Sequence, residues 1–177
     1  MAADWEQWVK VGRAVCGRGV FAAREIPAGT HVGRVQGKVI DDPNYTSAYC
    51  IDLGGDRSLE PLGPFRFLNH CCEPNATLSL YDCEYEDGSP APAEVYVEAL
   101  RTIRPDEEVR IDYAWSLDGA IPCLCNSPNC RGWVVDAAEL PKLLKKLKKS
   151  APAPAAPTAP TSPPLVKRPT RKKRMAR

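Results

Sequence analysis

Three cysteines crowded into one short segment set the first constraint on this chain. Cys123-Leu124-Cys125-Asn126-Ser127-Pro128-Asn129-Cys130-Arg131-Gly132 has the form Cys-x-Cys-x4-Cys. Three thiols around a tight Ser-Pro-Asn turn suit tetrahedral Zn2+, and a structural site of that kind needs a fourth ligand to close its shell. The segment holds none. The fourth ligand must come from a distant part of the chain: Cys16, Cys50, Cys71, Cys72, Cys83 or a histidine. The competing reading is three ordinary core thiols.

A second stretch is almost as demanding. Arg66-Phe67-Leu68-Asn69-His70-Cys71-Cys72-Glu73-Pro74-Asn75 joins an apolar run to an Asn-His pair, two thiols and a Pro-Asn turn. This suits a buried strand that ends at a site. Phe67 and Leu68 would anchor it and Pro74-Asn75 would turn it. Asn69 and His70 carry enough donors and acceptors to fix a polar ligand. Alone, the stretch also reads as a core strand followed by a turn.

Size and charge bound the rest. A chain of 177 residues has room for one domain with a real core. No run of about 18 apolar residues exists, so no membrane-spanning helix is expected. Met1-Ala2-Ala3-Asp4-Trp5-Glu6 has neither a basic start nor an apolar core and does not read as a secretory signal. The expected location is intracellular, at the nucleoid of a bacterium or the chromatin of a eukaryote. There, eight cysteines read as metal ligands and free thiols rather than disulfides. Of the 24 Lys and Arg, twelve lie in 141–177, which has no Asp or Glu, leaving twelve against 22 acidic residues in a body near −10. An acidic body attracts a basic peptide and a basic tail attracts an acidic polymer.

The body reads as mainly β. Residues 1–12 form an arm, with Trp5, Trp8, Val9 and Val11 in a first strand. Val32 to Ile40 reads as bent strands, and Tyr45 to Leu53 as one more before Gly54-Gly55. Leu59 to Pro64 is interrupted by Pro and Gly and reads as irregular. Ala76–Leu80, Val95–Leu100 and Val109–Tyr113 are strand candidates, with an acidic, turn-rich segment from Asp82 to Pro92. Leu140, Leu143, Leu144 and Leu147 recur at helical spacing among lysines, which predicts a basic amphipathic helix over 135–149 whose leucines pack on the body or, in the competing reading, meet a membrane surface or a partner helix. Asp136 and Glu139 resemble a capping box, although Pro141 would then sit too deep. Residues 150–177 are rich in Pro and Ala, end in a basic tract, and read as a disordered tail; residues 167–177 read either as a solvated end or as a contact for nucleic acid.

Taken in order, the motifs resemble those of the SET-domain protein-lysine methyltransferases. Gly17-Arg18-Gly19-Val20-Phe21-Ala22 looks like the opening Gly-x-Gly motif, and Arg66 to Asn75 like Arg-Phe-Ile-Asn-His-Ser-Cys-x-Pro-Asn. Glu107-Glu108-Val109-Arg110-Ile111-Asp112-Tyr113 resembles Glu-Glu-Leu-x-x-Asp-Tyr, and the cysteine cluster resembles a post-SET zinc loop. The resemblance spans residues 9–134, as a minimal form with no cysteine-rich pre-SET region. It implies a SET domain over 13–115 and a zinc loop over 116–134. It also implies small curved sheets, with a knot-like crossing that lays the Asn69-His70 and Tyr113 segments side by side.

The resemblance also assigns roles. S-adenosylmethionine would be the methyl donor. The backbone of Cys16, Gly17, Arg18 and Gly19 would approach its methionine end, where glycine permits close contact. Arg66, Phe67 and Asn69 would contact its polar end, His70 would hold the adenine through its main chain, and Leu124 would cover the adenine. Tyr113 and Tyr49 would line the lysine channel, with Tyr113 nearest the transferring methyl. Cys72 would complete one zinc ion with Cys123, Cys125 and Cys130. Ile111, two before Tyr113, leaves room where an aromatic residue often limits methylation, which predicts di- or trimethylated product. Three departures stand out: Cys71 replaces serine, Asp106 stands where glycine often precedes Glu-Glu, and Leu59 to Phe65 differs from the usual approach. The expected substrate is a basic, lysine-rich protein such as a histone. The competing reading is a non-catalytic SET-like module that binds chromatin or nucleic acid through its tail.

Overall fold

The computed structural model describes residues 5–84 and 90–150. Strands β1 (Val9–Ala14) and β2 (Gly17–Ala22) form an antiparallel hairpin. Next come β3 (His31–Arg34), β4 (Gly37–Asp41), β5 (Ile51–Gly54) and β6 (Arg57–Pro61). A 3-10 helix over Pro64–Phe67 leads into the two-residue strand β7 (Asn69–His70). The longer strands β8 (Ala76–Glu84) and β9 (Pro90–Ala99) follow, then β10 (Glu108–Ile111). A second 3-10 helix, Leu117–Gly119, precedes the short ladder β11 (Ile121–Pro122) with β12 (Trp133–Val134). Helix α1 is Leu140–Ser150.

The strands sort into four small sheets, ordered β1-β2-β10-β7, β3-β9-β8, β4-β6-β5 and β11-β12. Their apolar faces meet in one core that includes Val20, Ile26, Val32, Val97, Ile103 and Val109, each with no solvent exposure. Val109 and Ile111 alternate inward along β10, which turns Arg110 and Asp112 to the other face.

The decisive pairing is β10 with β7, which is parallel and sets Arg110 opposite Asn69 and Ile111 opposite His70. Asn75 secures it. This side chain is 2% exposed, donates to Glu107 Oε1 and the Glu108 carbonyl at 3.0 and 2.8 Å, and accepts the Arg110 N–H at 2.8 Å. Its amide is fully used, as a buried polar group requires.

Several local expectations are corrected. Phe67 and Leu68 do not belong to a strand; Pro64 starts a 3-10 turn that delivers Leu68. Tyr45 to Cys50 is a looped approach to β5, because Asp42 Oδ1 accepts the Asn44 N–H and Ser47 Oγ accepts those of Tyr49 and Cys50. Such local side-chain bonds compete with a ladder. Leu59 to Pro61 belongs to the central strand of its sheet, since Pro61 sits at the end of the ladder, opposite Gly37. Trp5 to Trp8 is a turn ahead of β1, closed by the Trp8 and Val9 N–H groups on the Trp5 carbonyl.

The helix starts at Leu140, where the leucine periodicity begins, rather than at 135. Pro141 takes its second position, where no N–H is needed. Asp136 accepts from the Ala138 N–H and Glu139 from the Leu117 N–H, so they form no capping box. Leu143 is buried, whereas Leu144 and Leu147 are 42% and 38% exposed, so the stripe packs only in part. The expected tail over 150–177, with its nucleic-acid contact through 167–177, lies outside the described residues beyond Ser150, as do the first four residues of the arm and the tip of the acidic segment. Among the described residues no helix is long and apolar enough to cross a membrane.

Candidate active site and thiol centre

The parallel pairing of β7 with β10 brings the two long motifs together. Tyr113 lies just past β10, and its hydroxyl donates to the Leu68 carbonyl at 2.6 Å. Its N–H donates to His70 Nδ1 at 3.2 Å. The phenol ring packs between His70 and Trp115, at centroid distances of 5.4 and 5.3 Å. Burial pushes the phenol up to about 12, helped by Cys16, Tyr49 and Glu108 nearby, so it is protonated at neutral pH. Ala114, next in the chain, has φ 45°, and the Asp112 carboxylate accepts its N–H at 3.1 Å. That is local strain of the kind found beside reacting groups.

Two cavities share Tyr113 as a wall. The first, of about 220 Å3, is lined by Cys16, Asn69, His70, Glu108, Arg110, Leu124 and neighbours. The second, of about 450 Å3, is lined by Tyr49, Arg66, Leu68, Ile111, Asp112, Trp115 and others. Arg66 and Phe67 do not line the first cavity. The Arg66 guanidinium lies 4.2 Å over the Tyr49 ring and 3.7 Å from Glu60, and Phe67 lies under the Arg18 guanidinium at 4.0 Å.

The lining of the first cavity has a polar and an apolar part. In one, Asn69 Nδ2 donates to the Arg18 carbonyl at 3.0 Å and to Glu108 Oε1 at 2.7 Å. Both amide hydrogens are committed, which leaves the Asn69 carbonyl oxygen and the Glu108 carboxylate as acceptors for a cationic group. Gly19 makes this possible, because a Cβ there would stand 2.5 Å from Glu108 Oε1. In the other, Val15, Ile121, Leu124 and Val134 offer an apolar face. Val15 and Leu124 are 87% and 68% exposed, an open rim suited to a flat apolar group. This lining fits a ligand that carries both an amino-acid ammonium and a purine.

The structure brings Cys72 to Cys123, Cys125 and Cys130, with all four sulfurs within 4.8 Å of one another. Cys72 Sγ lies 3.7 Å from Cys123 Sγ and 3.9 Å from Cys130 Sγ. A tetrahedral ion with bonds of about 2.3 Å to sulfur requires edges of about 3.8 Å, so the cluster fits a metal. Each sulfur also receives a backbone N–H, from Arg131 to Cys72, Cys125 to Cys123, Cys72 to Cys125 and Gly132 to Cys130. Such bonds favour thiolates. Burial raises Cys72 and Cys123, whereas at Cys125 the Cys72 N–H and the Ser127 hydroxyl outweigh burial and hold the thiol down to about 5. Four neighbouring acids oppose one another's ionisation, and a cation reverses that. Cys71 is fully buried and borders the cluster at Cys125 without joining it, and Cys16 is exposed at the first cavity.

Three contacts that the sequence did not announce bind this loop, two to the Tyr113 strand and one to Glu73 after β7. Arg131 grips Asp112 with two bonds of 2.7 and 2.8 Å. Arg110 donates to the Cys125 carbonyl at 3.1 Å, and Glu73 accepts from Asn129. The available signal was positional: Arg131 follows the last cysteine and Asp112 precedes Tyr113. Asp112 is held below the usual carboxylate range, since the Arg131 bonds outweigh its desolvation.

Comparison with known proteins agrees with this geometry. The SET domain family matches residues 17–114, more than half of the chain. The chain belongs to the SET-domain family. It is 28% identical over 152 residues to "Histone-lysine N-methyltransferase trr" of Drosophila melanogaster, covering 76% of this chain. It is 41% identical over 76 residues, or 41% of this chain, to "Histone-lysine N-methyltransferase, H3 lysine-4 specific" of Emericella nidulans. The chain spans about 6% of the length of these curated relatives. Among solved structures, KRYPTONITE in complex with mCHH DNA, an H3(1-15) peptide and SAH is similar with a TM-score of 0.60 and 27% identity, over 71% of this chain and 29% of that one. KRYPTONITE with mCHG DNA and SAH gives a TM-score of 0.62 at 26% identity, over 71% and 28% of the two chains.

Proposed function

We propose that this chain is an S-adenosylmethionine-dependent protein-lysine N-methyltransferase that acts on a basic, lysine-containing protein of the histone kind. The observation that carries this is the pair of cavities divided by Tyr113. One suits a ligand with an ammonium and a purine, and the other opens beside Tyr49, Asp52 and Asp112, where a cationic side chain is welcome. The donor supplies a sulfonium methyl for in-line attack by a neutral amine.

This chain's residues hold the two partners. Asn69 and Glu108 take the amino-acid end, and the backbone of Cys16 to Gly19 closes over it. Leu124 covers the apolar end, and His70 presents its main chain. Tyr113 commits its proton to Leu68, so its oxygen lone pairs are the part it offers to an electron-poor methyl. Tyr49 walls the amine's side. Asp52 and Asp112 draw a cationic side chain into the second cavity, and beside Tyr113 the apolar side chains of Leu68, Ile111 and Trp115, with the donor's sulfonium charge, would disfavour the ammonium and lower a lysine from its usual pKa near 10.4. Alignment and fixed dipoles then supply most of the rate. A zinc ion on Cys72, Cys123, Cys125 and Cys130 would hold Leu124 against the cleft. The relatives' names support a histone-like substrate, and the acidic body and basic 167–177 tract support action where nucleic acid and basic proteins meet.

The test is methyl transfer from labelled S-adenosylmethionine to histones and other basic proteins, with methyl-lysine identified by mass spectrometry. Transfer to lysine is expected. No transfer and no calorimetric cofactor binding, together with salt-sensitive DNA binding, would replace this reading with the non-catalytic one.

A further inference from the structure

We infer that the His70 side chain is a positioning residue that couples the four-thiol centre to Tyr113. Its kinetic consequence rests on the methyltransferase reading above; the bonds themselves do not.

The ring is 6% exposed and has a partner at each nitrogen. Nδ1 accepts the Tyr113 N–H at 3.2 Å, so its lone pair is in use. The neutral imidazole then carries its proton on Nε2. Nε2 lies 3.4 Å from Cys72 Sγ, an ordinary length for a bond to sulfur. The opposite tautomer would aim at Asp112 Oδ1, 3.4 Å from Nδ1. It would deprive the Tyr113 N–H of its acceptor, and Asp112 already receives two bonds from Arg131 and one from Ala114. One tautomer therefore satisfies every group.

The bridge sits where the sheet stops. The β7–β10 ladder ends with Ile111 opposite His70, and the Tyr113 N–H turns to the imidazole instead of a strand. The residue after it is already left-handed. The orientation of the Tyr113 backbone thus depends on the ring, and the ring depends on a sulfur that belongs to the thiol centre. Groups that hydrogen-bond a metal ligand typically change metal affinity or activity by about 10- to 100-fold when lost. The main chain of His70 forms β7; the bridge is a separate role, played by the side chain.

The two nitrogens are separable by mutation. His70→Asn keeps an acceptor near Nδ1 and loses the donor to sulfur. His70→Gln reaches the sulfur with a donor and loses the acceptor for Tyr113. In the full, zinc-loaded chain, His70→Asn should speed zinc release to a chromogenic chelator about tenfold or more, beyond the effect of Gln. His70→Gln should lower kcat about tenfold or more, beyond the effect of Asn, with cofactor KM little changed. A third readout needs no variant: in 113Cd-substituted wild-type protein, the proton on His70 Nε2 should show scalar coupling to the cadmium through Cys72. Equal damage by both variants in both assays, wild-type behaviour in both, or absence of that coupling would each overturn the inference. If a variant does not fold, the coupling alone decides. A wild-type chain without methyltransferase activity would sink the functional reading and leave zinc release and cadmium coupling to judge this one.

Discussion

The Tyr113 hydroxyl donates to the Leu68 carbonyl at 2.6 Å, which ties the end of β10 to the residue just before Asn69. One hydrogen bond thus fixes the phenol at the wall shared by both cavities. Tyr113→Phe should lower kcat by roughly 10²-fold or more, the usual scale for deleting one preorganised polar group at a reacting centre. Cofactor affinity, measured by calorimetry, should be unchanged, and stability should fall by only about 1 kcal/mol. The phenol, pushed up to about 12, is neutral through the whole working range. An activity that rises with pH therefore reports the substrate amine, and that limb should persist in the residual activity of Tyr113→Phe.

The two adjacent cysteines should behave oppositely. Cys72 is one of the four clustered thiols, whereas Cys71 is fully buried and only borders the cluster, at Cys125. Cys72→Ser or Cys123→Ser should abolish zinc binding in atomic absorption, while Cys71→Ser retains one ion per chain. Zinc removal should also weaken cofactor binding, because Leu124 and Cys125 line the first cavity. Cys71→Ser should instead cost about 1–3 kcal/mol, because it buries a more polar hydroxyl at a fully buried site shaped for a thiol.

The sequence carried the chemistry better than the connections. Asn69, His70, Tyr113 and the cysteines announce themselves through residue type and spacing. Asn75 does not: Pro-Asn reads as a turn, and nothing local reveals that its amide binds β10 and Glu107 across the crossing. Asp112 and Arg131 are likewise ordinary charges until the fold opposes them. Asp106 shows the reverse case. Its φ of 62° explains why glycine suits that position in the family motif, and aspartate tolerates the left-handed region better than most residues. Lys10 then pairs with it. Long-range pairing lies beyond local pattern, and short bonded loops such as Tyr45–Cys50 override apparent strand periodicity.

Glu107 should govern part of the acid stability. Its carboxyl is held down to about 2: burial would raise it, but Arg101, the Arg104 N–H and Asn75 bind the charged form more strongly. A depressed folded pKa contributes stability above the unfolded value of 4.5, and that stability fades as pH falls toward about 2. Glu107→Gln should therefore be less stable than wild type at neutral pH, and the difference should shrink between pH 4.5 and 2. Chemical denaturation of both proteins in their zinc-free state, the form that persists at these pH values, checks it across that window; a constant difference would remove Glu107 from the acid response.

Ile111 offers the last check, on the size of the methyl pocket. It is 6% exposed, forms the final β10 ladder pair opposite His70, and lines the second cavity with Tyr113 and Trp115. An aliphatic side chain leaves space beside the amine for methyl groups already added, so wild-type product should reach the di- or trimethyl state. Ile111→Phe adds a flat ring to that wall. It should shift product toward monomethyl-lysine in intact-peptide mass spectrometry, with the first transfer affected less than the later ones. Overpacking at so buried a position costs about 1–3 kcal/mol, so a melting curve must accompany the assay. Wild-type enzyme that stops at one methyl would show that another wall, not residue 111, limits the space around the amine.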